Sequence, residues 1–220
     1  MEKYIVNRDE DPPAPFCQPP NVPTGTGLLE TPSTAYALYT DDELLLLSER
    51  LSWYDRDETT TEWQNKFNFE IWTGAKVYGV PAMLLKRLIG VESQYWPLWK
   101  GSSDEVGLMQ ITDSGADVLM RYDAETFKQY CAKAVFFKSC EKGYHVLTEK
   151  QQRLIRDVFR ADLICHGCTV EQAVEHERAN VLIYARMLNA YGCRNGWNWV
   201  EALRDYNGGT KYLIHFGLGG

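Results

Sequence analysis

A single glutamate on an otherwise apolar helical face is the first group in this sequence with identifiable chemistry. Residues 81–92 have the period of an α-helix, and three apolar residues share the face of its last glutamate, Glu92: Leu85, Leu88 and Ile89. Burial disfavours a carboxylate anion and the negative end of the helix dipole opposes it, so we expect the pKa of Glu92 to be raised. A carboxyl group that stays protonated near neutral pH can donate a proton to the leaving oxygen of a glycosidic bond.

Helical periodicity alone would leave Glu92 as an ordinary helix-end residue paired with a nearby Lys or Arg. Further elements follow it in a fixed order: Ser93, Tyr95, Gly107-Leu-Met-Gln-Ile111, Asn180 and Asp205-Tyr-Asn-Gly-Gly209. This order resembles the soluble lytic transglycosylases of the lysozyme-like superfamily, whose fingerprint joins Glu-Ser, Gly-Leu-Met-Gln, an Asn-bearing helix and Tyr-Asn-x-Gly. The fifteen-residue step from Glu92 to Gly107 matches the spacing of that family, and the resemblance covers roughly residues 65–215.

The resemblance implies a role for each matching position. Glu92 would be the general acid and then the base of the reaction, and Ser93 would help to hold the N-acetyl group of the substrate or a nearby backbone group. Tyr206 would form a hydrogen bond near the Glu92 carboxylate. The other implied substrate-binding residues lie along the sugar groove, its wall and the adjacent turn: Tyr95, Met109, Gln110, Asn180 and Asn207.

The chain also departs from the family pattern. Asp104-Glu105 stands where the family usually has Gly-Ala, and Tyr184 and Met187 stand where it favours Gly and Tyr. The stretch between Ile111 and Asn180 is longer than usual, which predicts an inserted, Cys-containing helical subdomain over residues 113–175.

The implied reaction is cleavage of the β-1,4 bond between N-acetylmuramic acid and N-acetylglucosamine in peptidoglycan, with a 1,6-anhydro-muramyl product and no metal or cofactor. A goose-type lysozyme-like hydrolase (a muramidase) is the close alternative, and a second carboxylate for it would come from Asp104 or Glu105. A non-catalytic glycan-binding module of a cell-wall or virion assembly is the alternative from a different class.

The elements that position these residues are helical. Capping-box patterns predict helices from Thr40, Thr61, Thr148 and Thr169, the last running to about Tyr191 with Gly192 as its stop. A helix that packs through Trp63, Phe67, Ile71, Ala75 and Tyr78 ends at Gly79, the next begins at Pro81, and a short one covers about 197–206. Strand-like alternation is nearly absent, so the fold class is mainly α, and any small sheet falls near residues 95–107.

Composition limits the setting of this chemistry. Residues 1–39 hold most of the prolines and predict an extended arm or linker, which leaves 40–220 as the lysozyme-like catalytic domain. The net charge of −7 argues against a nucleic-acid partner. Neither a membrane span nor a signal peptide is visible, so a phage particle, a secretion apparatus or a larger chain would bring the protein to the bacterial wall, as a periplasmic, extracellular or virion-associated protein.

The chain contains six cysteines: Cys17, Cys131, Cys140, Cys165, Cys168 and Cys193. An even number in a protein that acts outside the cell favours disulfides. Cys165-His-Gly-Cys168 is a tight spacing for internal pairing unless it forms a redox-type turn. Free thiols stay open as an alternative, and so does a structural zinc held by the four cysteines between 131 and 168, with His145, His166 or His176 in reserve.

Overall fold

The computed structural model describes residues 60–98, 104–134 and 137–207, without the side chains of residues 60–62 and 135–139. The regular structure in these ranges is eight α-helices: α1 (Thr60–Asn65), α2 (Asn68–Tyr78), α3 (Ala82–Ser93), α4 (Asp113–Tyr122), α5 (Ala124–Ala134), α6 (Glu149–Asp162), α7 (Val170–Arg194) and α8 (Trp199–Asn207). Two 3₁₀ segments, Phe137–Lys142 and Tyr144–Val146, lie between α5 and α6. The mainly α class is therefore confirmed.

The longest helix, α7, is the central element of the packing. Its 25 residues contact α2, α3, α4 and α8. It opens at Thr169, whose side chain accepts the backbone N–H of Gln172 while the Gln172 side chain accepts the backbone N–H of Thr169. The apolar face predicted for this helix is buried as expected: Val174, Val181, Ala185 and Leu188. Thr148 and Gln151 form the same reciprocal cap at the start of α6, so both of these capping boxes are confirmed.

The single helix predicted from Thr61 to Tyr78 is wrong, because the chain breaks into α1 and α2 around Phe67. Asn65 and Asn68, on either side of the break, both accept hydrogen bonds from the Lys86 ammonium group, at 3.0 and 2.7 Å. Lys86 is 2% exposed, so these amides satisfy a buried cation. The break between α1 and α2 thus lies where two asparagine side chains bind a lysine from α3.

The next helix is close to its prediction. Gly79 ends α2 in the left-handed region, with φ 64°, and its N–H bonds to the carbonyl of Ala75. Pro81 was predicted to be the first residue of α3, but it is the N-cap and the helix begins at Ala82. The helix ends at Ser93, one residue after the predicted end at Glu92. The chain then turns through two left-handed residues, Gln94 and Tyr95.

Gly192 was predicted to stop α7, and that prediction is wrong. The helix continues to Arg194, with Asn195 as its C-cap. A Cβ atom at Gly192 would lie 2.8 Å from the ring of Trp199 and 3.0 Å from that of Trp197, so this glycine makes room for two indole rings. The final helix correspondingly runs from Trp199 to Asn207, slightly later than the predicted range of 197–206.

The segment between α4 and α7 is held by a buried guanidinium and a disulfide. Arg156 of α6 bonds to Asp113 and Asp117 of α4 and also to Tyr144 and Glu149. Helices α4, α5 and α6 pack on one another, and α4 also packs on α7. The predicted subdomain boundaries of 113–175 stay a prediction.

The cysteines of the described ranges form disulfides. Cys131 pairs with Cys140, Cys165 pairs with Cys168 in spite of its tight spacing, and Cys193 is also disulfide-bonded. These pairings replace the zinc and free-thiol alternatives, and no cluster of metal-binding side chains occurs in the described part of the chain. The predicted arm of residues 1–39, the capping box at Thr40 and Cys17 lie outside the described residues.

Candidate active site

Glu92 lies on the last turn of α3 and is half-buried. The three apolar residues that share its face are all 0% exposed: Leu85, Leu88 and Ile89. These residues anchor one side of α3 in the core, so the helix carries its terminal carboxyl group to the edge of that core. This is the position that an acid needs if it is to be shielded from bulk water and still meet a substrate.

Tyr191 of α7 is the residue that ties Glu92 electrostatically to the rest of the site. Burial is the main cause that raises the pKa of Tyr191, and the negative charges of Asp205, Asp117 and Glu92 raise it further. The ring of Tyr191 packs edge-on against Tyr206 of α8, with 5.1 Å between ring centroids. Tyr191 therefore links Glu92 of α3 to Tyr206 of α8.

Tyr206 connects this cluster to the Gly107–Gln110 turn. Its hydroxyl donates a hydrogen bond to the carbonyl oxygen of Met109. The turn is closed by an antiparallel bridge between Val106 and Ile111, which is the β pairing found close to the range where a small sheet was predicted. Tyr206 and the main chain of Met109 are thus brought close to Tyr191, on which the charge of Glu92 acts.

Gly107 and Gln110 give the turn its shape. Gly107 has φ 70°, and a Cβ atom on it would lie 2.2 Å from the hydroxyl of Tyr184, so both conformation and space require glycine. Gln110 has φ 48°, and its side-chain amide donates to the Gly107 carbonyl at 2.7 Å. The Gly-Leu-Met-Gln segment is therefore a compact turn pressed against α7.

Several residues predicted to bind substrate have buried side chains. Met109 is 0% exposed and Gln110 is 5% exposed. Ser93 and Tyr95 are also fully buried, and their hydroxyls donate to the carbonyl oxygens of Ile89 and Lys86. In this structure these four residues shape the frame of the site through main chain and packing.

Asn180 and Asn207 differ in their burial and surroundings. Asn180 is 5% exposed, its amide contacts His176 at 3.2 Å, and its side chain also bonds to Glu177. It sits eleven residues before Tyr191 on α7, about 16 Å along the helix axis. Asn207 is the exposed last residue of α8.

Three residues at this site were not predicted: Glu177, Tyr184 and Tyr191. They follow one another at seven-residue intervals on α7 and so share a face of the helix. The Tyr184 hydroxyl donates to the Glu177 carboxylate and accepts the backbone N–H of Leu108 at 3.0 Å. The signal in the sequence was a glutamate within an apolar heptad face, together with a tyrosine where the related family favours glycine.

The environment of Glu177 is unusual for a carboxyl group. Burial raises the pKa of Glu177 to about 7, and hydrogen bonds from Tyr184, Asn180 and the Leu108 amide limit the rise. Burial also raises the pKa of Tyr184 well above its usual value, with the Glu177 charge as the next cause. A carboxyl group with a strongly raised pKa therefore lies under the turn.

Three aspartates around the site form ion pairs with arginines. Asp104, a candidate second carboxylate, forms an ion pair with Arg160 at 3.0 Å. Asp205 is 3.2 Å from Arg194. Asp117 bonds to both Arg121 and Arg156, at 2.6 and 3.2 Å. Glu105, the other candidate, is half-buried beside the turn.

None of the helices in the described ranges is both long enough and apolar enough to cross a membrane.

Comparison with known protein families gives one match. Residues 70–131, which include Glu92, Ser93 and the Gly107–Gln110 turn, match the family model for the transglycosylase SLT domain. Neither the curated proteins nor the solved structures contain a match to the chain. The family match supports a lytic transglycosylase-like or lysozyme-like role in cleaving glycans, and it implies peptidoglycan as the substrate. The resemblance to the soluble lytic transglycosylases is therefore confirmed, with residues 70–131 forming the matched SLT segment.

Proposed function

We propose that this protein is a peptidoglycan lytic transglycosylase and that Glu92 is its catalytic acid and base. The observation that carries the proposal is the placement of Glu92 within the matched SLT segment, at the end of a buried apolar helix and within electrostatic reach of Tyr191. Tyr206 and the Met109 main chain adjoin the same cluster. The site therefore combines the proposed acid with two packed tyrosines and the Gly107–Gln110 turn.

The proposed reaction returns Glu92 to its starting state without consuming water. Glu92 protonates the oxygen of the β-1,4 bond between N-acetylmuramic acid and N-acetylglucosamine, the bond to the muramic C1 breaks, and the N-acetyl group stabilises the oxocarbenium-like centre. The Glu92 carboxylate then takes the proton of the muramic 6-hydroxyl as that oxygen bonds to C1. The products are a new 4-hydroxyl end and a 1,6-anhydro-muramyl end.

The arginine pairing of the surrounding acids favours this route over hydrolysis. An inverting hydrolase needs a second carboxylate that is available to activate water. Asp104, Asp117 and Asp205 each form an ion pair with a guanidinium group, so their carboxylate oxygens are already engaged by another side chain. Glu105 is the remaining acid from which we would expect hydrolytic help.

We propose that the substrate contacts centre on Tyr206 and Asn207 of α8 and on the main chain of Met109 and Gln110. Ser93, Tyr95 and Asn180 would support these contacts from buried positions. The protein would act at the bacterial wall, as a periplasmic, extracellular or virion-associated enzyme, or as part of a larger chain, phage particle or secretion apparatus.

Digestion of purified peptidoglycan with mass analysis of the products tests the proposal. We expect the wild-type protein to release muropeptides with anhydro ends, each lighter by one water than a hydrolysis product. Glu92→Gln should release none, whereas the exposed control Glu175→Gln should match the wild type. Hydrated ends that disappear in Glu105→Gln would instead indicate a lysozyme-like hydrolase, and cleavage by Glu92→Gln would remove the proposed acid.

A further inference from the structure

Two buried side chains of α7, Tyr184 and Glu177, form hydrogen bonds at the Gly107–Gln110 turn. The Tyr184 hydroxyl accepts the Leu108 backbone N–H at 3.0 Å and donates its own proton to Glu177. Tyr184 is 0% exposed and Glu177 is 2% exposed, so bulk water cannot replace either partner. The amide of Leu108 thus has two buried partners on α7, the Tyr184 hydroxyl and the Glu177 carboxyl group.

The turn lies in close contact with the Tyr184 side chain. Gly107 passes so near the Tyr184 hydroxyl that a Cβ atom there would be 2.2 Å from it. The carbonyl of Met109, two residues further along the turn, accepts the hydroxyl proton of Tyr206. Consecutive residues of one turn are therefore held by tyrosines from two helices, Tyr184 of α7 and Tyr206 of α8.

The hydrogen bonds of Glu177 tie it to Tyr184, Asn180 and the Leu108 amide. Glu177 precedes Tyr191 by fourteen residues on α7, which is about 21 Å along the helix axis. Tyr191 is the residue on which the charge of Glu92 acts. Glu177 acts instead on the orientation of Tyr184, because an acceptor at this position turns the hydroxyl proton away from Leu108 and leaves a lone pair facing the amide.

We propose that Glu177 and Tyr184 are positioning residues that fix the Gly107–Gln110 turn against α7 and so set its main chain beside Glu92. The proposal rests on the proposed function for its catalytic part. It explains why this chain has tyrosine at position 184, since that side chain supplies a partner for the Leu108 amide.

Variants that remove or keep single atoms test the pair. Tyr184→Phe removes the hydroxyl, and Glu177→Met removes the acceptor at similar size, whereas Glu177→Gln keeps a carbonyl acceptor for the Tyr184 proton. We expect the kcat for soluble glycan strands to fall about tenfold in Tyr184→Phe and in Glu177→Met, with KM changed less than about threefold. Glu177→Gln should stay within about threefold of the wild-type kcat. The double variant Tyr184→Phe/Glu177→Met should be no slower than Tyr184→Phe alone, because both substitutions disrupt the same contact with the turn.

Amide hydrogen exchange of Leu108, measured by NMR at a pH where each variant is folded, reads the turn directly. We expect exchange to accelerate at least about tenfold in Tyr184→Phe and Glu177→Met, relative to the amides of α6, and to stay near wild type in Glu177→Gln. Unchanged exchange in Tyr184→Phe, or faster exchange with wild-type kcat, would overturn the positioning role. A wild-type protein that leaves glycans intact would reject the proposed function, while the exchange data would still decide whether the pair holds the turn.

Discussion

Glu92 owes its proposed role to what surrounds it. Its helix is anchored by fully buried leucine and isoleucine side chains, and its charge acts on a tyrosine that in turn packs against Tyr206. Asp117 and Asp205, which act on the same Tyr191, are each held by arginine. At the scale of single residues, the proposed catalytic carboxyl group thus lies beside two carboxylates that form ion pairs with arginine.

Tyr206→Phe isolates the hydrogen bond from Tyr206 to the Met109 carbonyl. The ring contact with Tyr191 is retained, so we expect a loss of about 1 kcal/mol in the free energy of unfolding. We also expect kcat to fall about tenfold, because the turn loses its anchor to α8. The matched control is Tyr130→Phe, which removes a hydroxyl of α5 that bonds to Asp162 of α6. Equal kcat values in the two variants would contradict the placement of Tyr206 in the site.

Glu177 predicts a pH dependence of stability. Its pKa is raised from 4.5 to about 7 in the folded protein, so the folded state binds the proton more tightly than the unfolded state. Below pH 4.5 Glu177 is protonated in both states. As the pH rises above 4.5 the unfolded state loses this proton first, so the free energy of unfolding falls until the pH passes about 7. Urea unfolding at pH 5 and pH 8 should show a smaller decrease in Glu177→Gln than in wild type. The exposed neighbour Glu175→Gln should keep the wild-type decrease, and an unchanged decrease in Glu177→Gln would contradict the assignment.

At the scale of elements, α7 is the frame on which the site is built. One of its faces carries Glu177, Tyr184 and Tyr191 in turn, and its C-terminal end receives α8 through the Gly192 contact. The spacing between the turn and Glu92 is therefore set by how α3 and α8 dock on α7. Changes at these docking points should act on the site without touching it.

Gly192→Ala tests the docking of α8 on α7. A methyl group there would lie 2.8 Å from the Trp199 ring, so the indole must move, and we expect the free energy of unfolding to fall by ~1–3 kcal/mol. Gly115→Ala in α4 is the matched control, because its nearest neighbour would be at an ordinary 3.6 Å. That change should be neutral or stabilise by about 0.5–1 kcal/mol, as alanine is the better helix former. Urea unfolding of both variants gives the comparison, and a neutral Gly192→Ala would contradict the packing.

Arg156→Met tests how α6 is held to α4. The side chain of Arg156 is 6% exposed and bonds to Asp113, Asp117, Glu149 and the Tyr144 hydroxyl. Its loss removes the guanidinium partner of the Tyr144 hydroxyl and of Asp113, while Asp117 keeps Arg121, so we expect destabilisation of about 1–3 kcal/mol. Lys133→Met breaks the exposed pair with Asp162 and should cost less than about 1 kcal/mol. Thermal unfolding followed by circular dichroism measures both, and similar losses would show that the Arg156 network adds little.

At the scale of the whole molecule, helix boundaries were predictable where they depend on neighbouring residues in the sequence. The capping boxes at Thr148 and Thr169 and the stop at Gly79 need only neighbouring residues, and all three are confirmed. The break between α1 and α2 was not predictable, because it depends on Lys86 from another helix. The stop predicted at Gly192 was wrong for the same reason, since only the fold brings Trp199 onto that position.

The sequence order of the candidate site residues was predictable, but the residues that hold them in place were not. Glu92, the Gly107–Gln110 segment and Tyr206 follow a pattern that can be read along the chain, and the SLT match covers the first two. Tyr191 and Glu177 carry no local signal beyond the apolar period of α7, because their roles arise from contacts with α3, α8 and the turn. The disulfides likewise depend on tertiary distance, which cysteine spacing left open.

Cleavage of purified peptidoglycan in heavy-oxygen water tests the central claim most directly. If Glu92 drives an intramolecular reaction, the muramic 6-hydroxyl is the nucleophile, and the anhydro ends released by the wild-type protein carry no solvent oxygen. Glu92→Gln should release no ends at all, with Glu175→Gln again matching the wild type. New muramic ends that contain the heavy oxygen, or cleavage that persists in Glu92→Gln, would contradict the account.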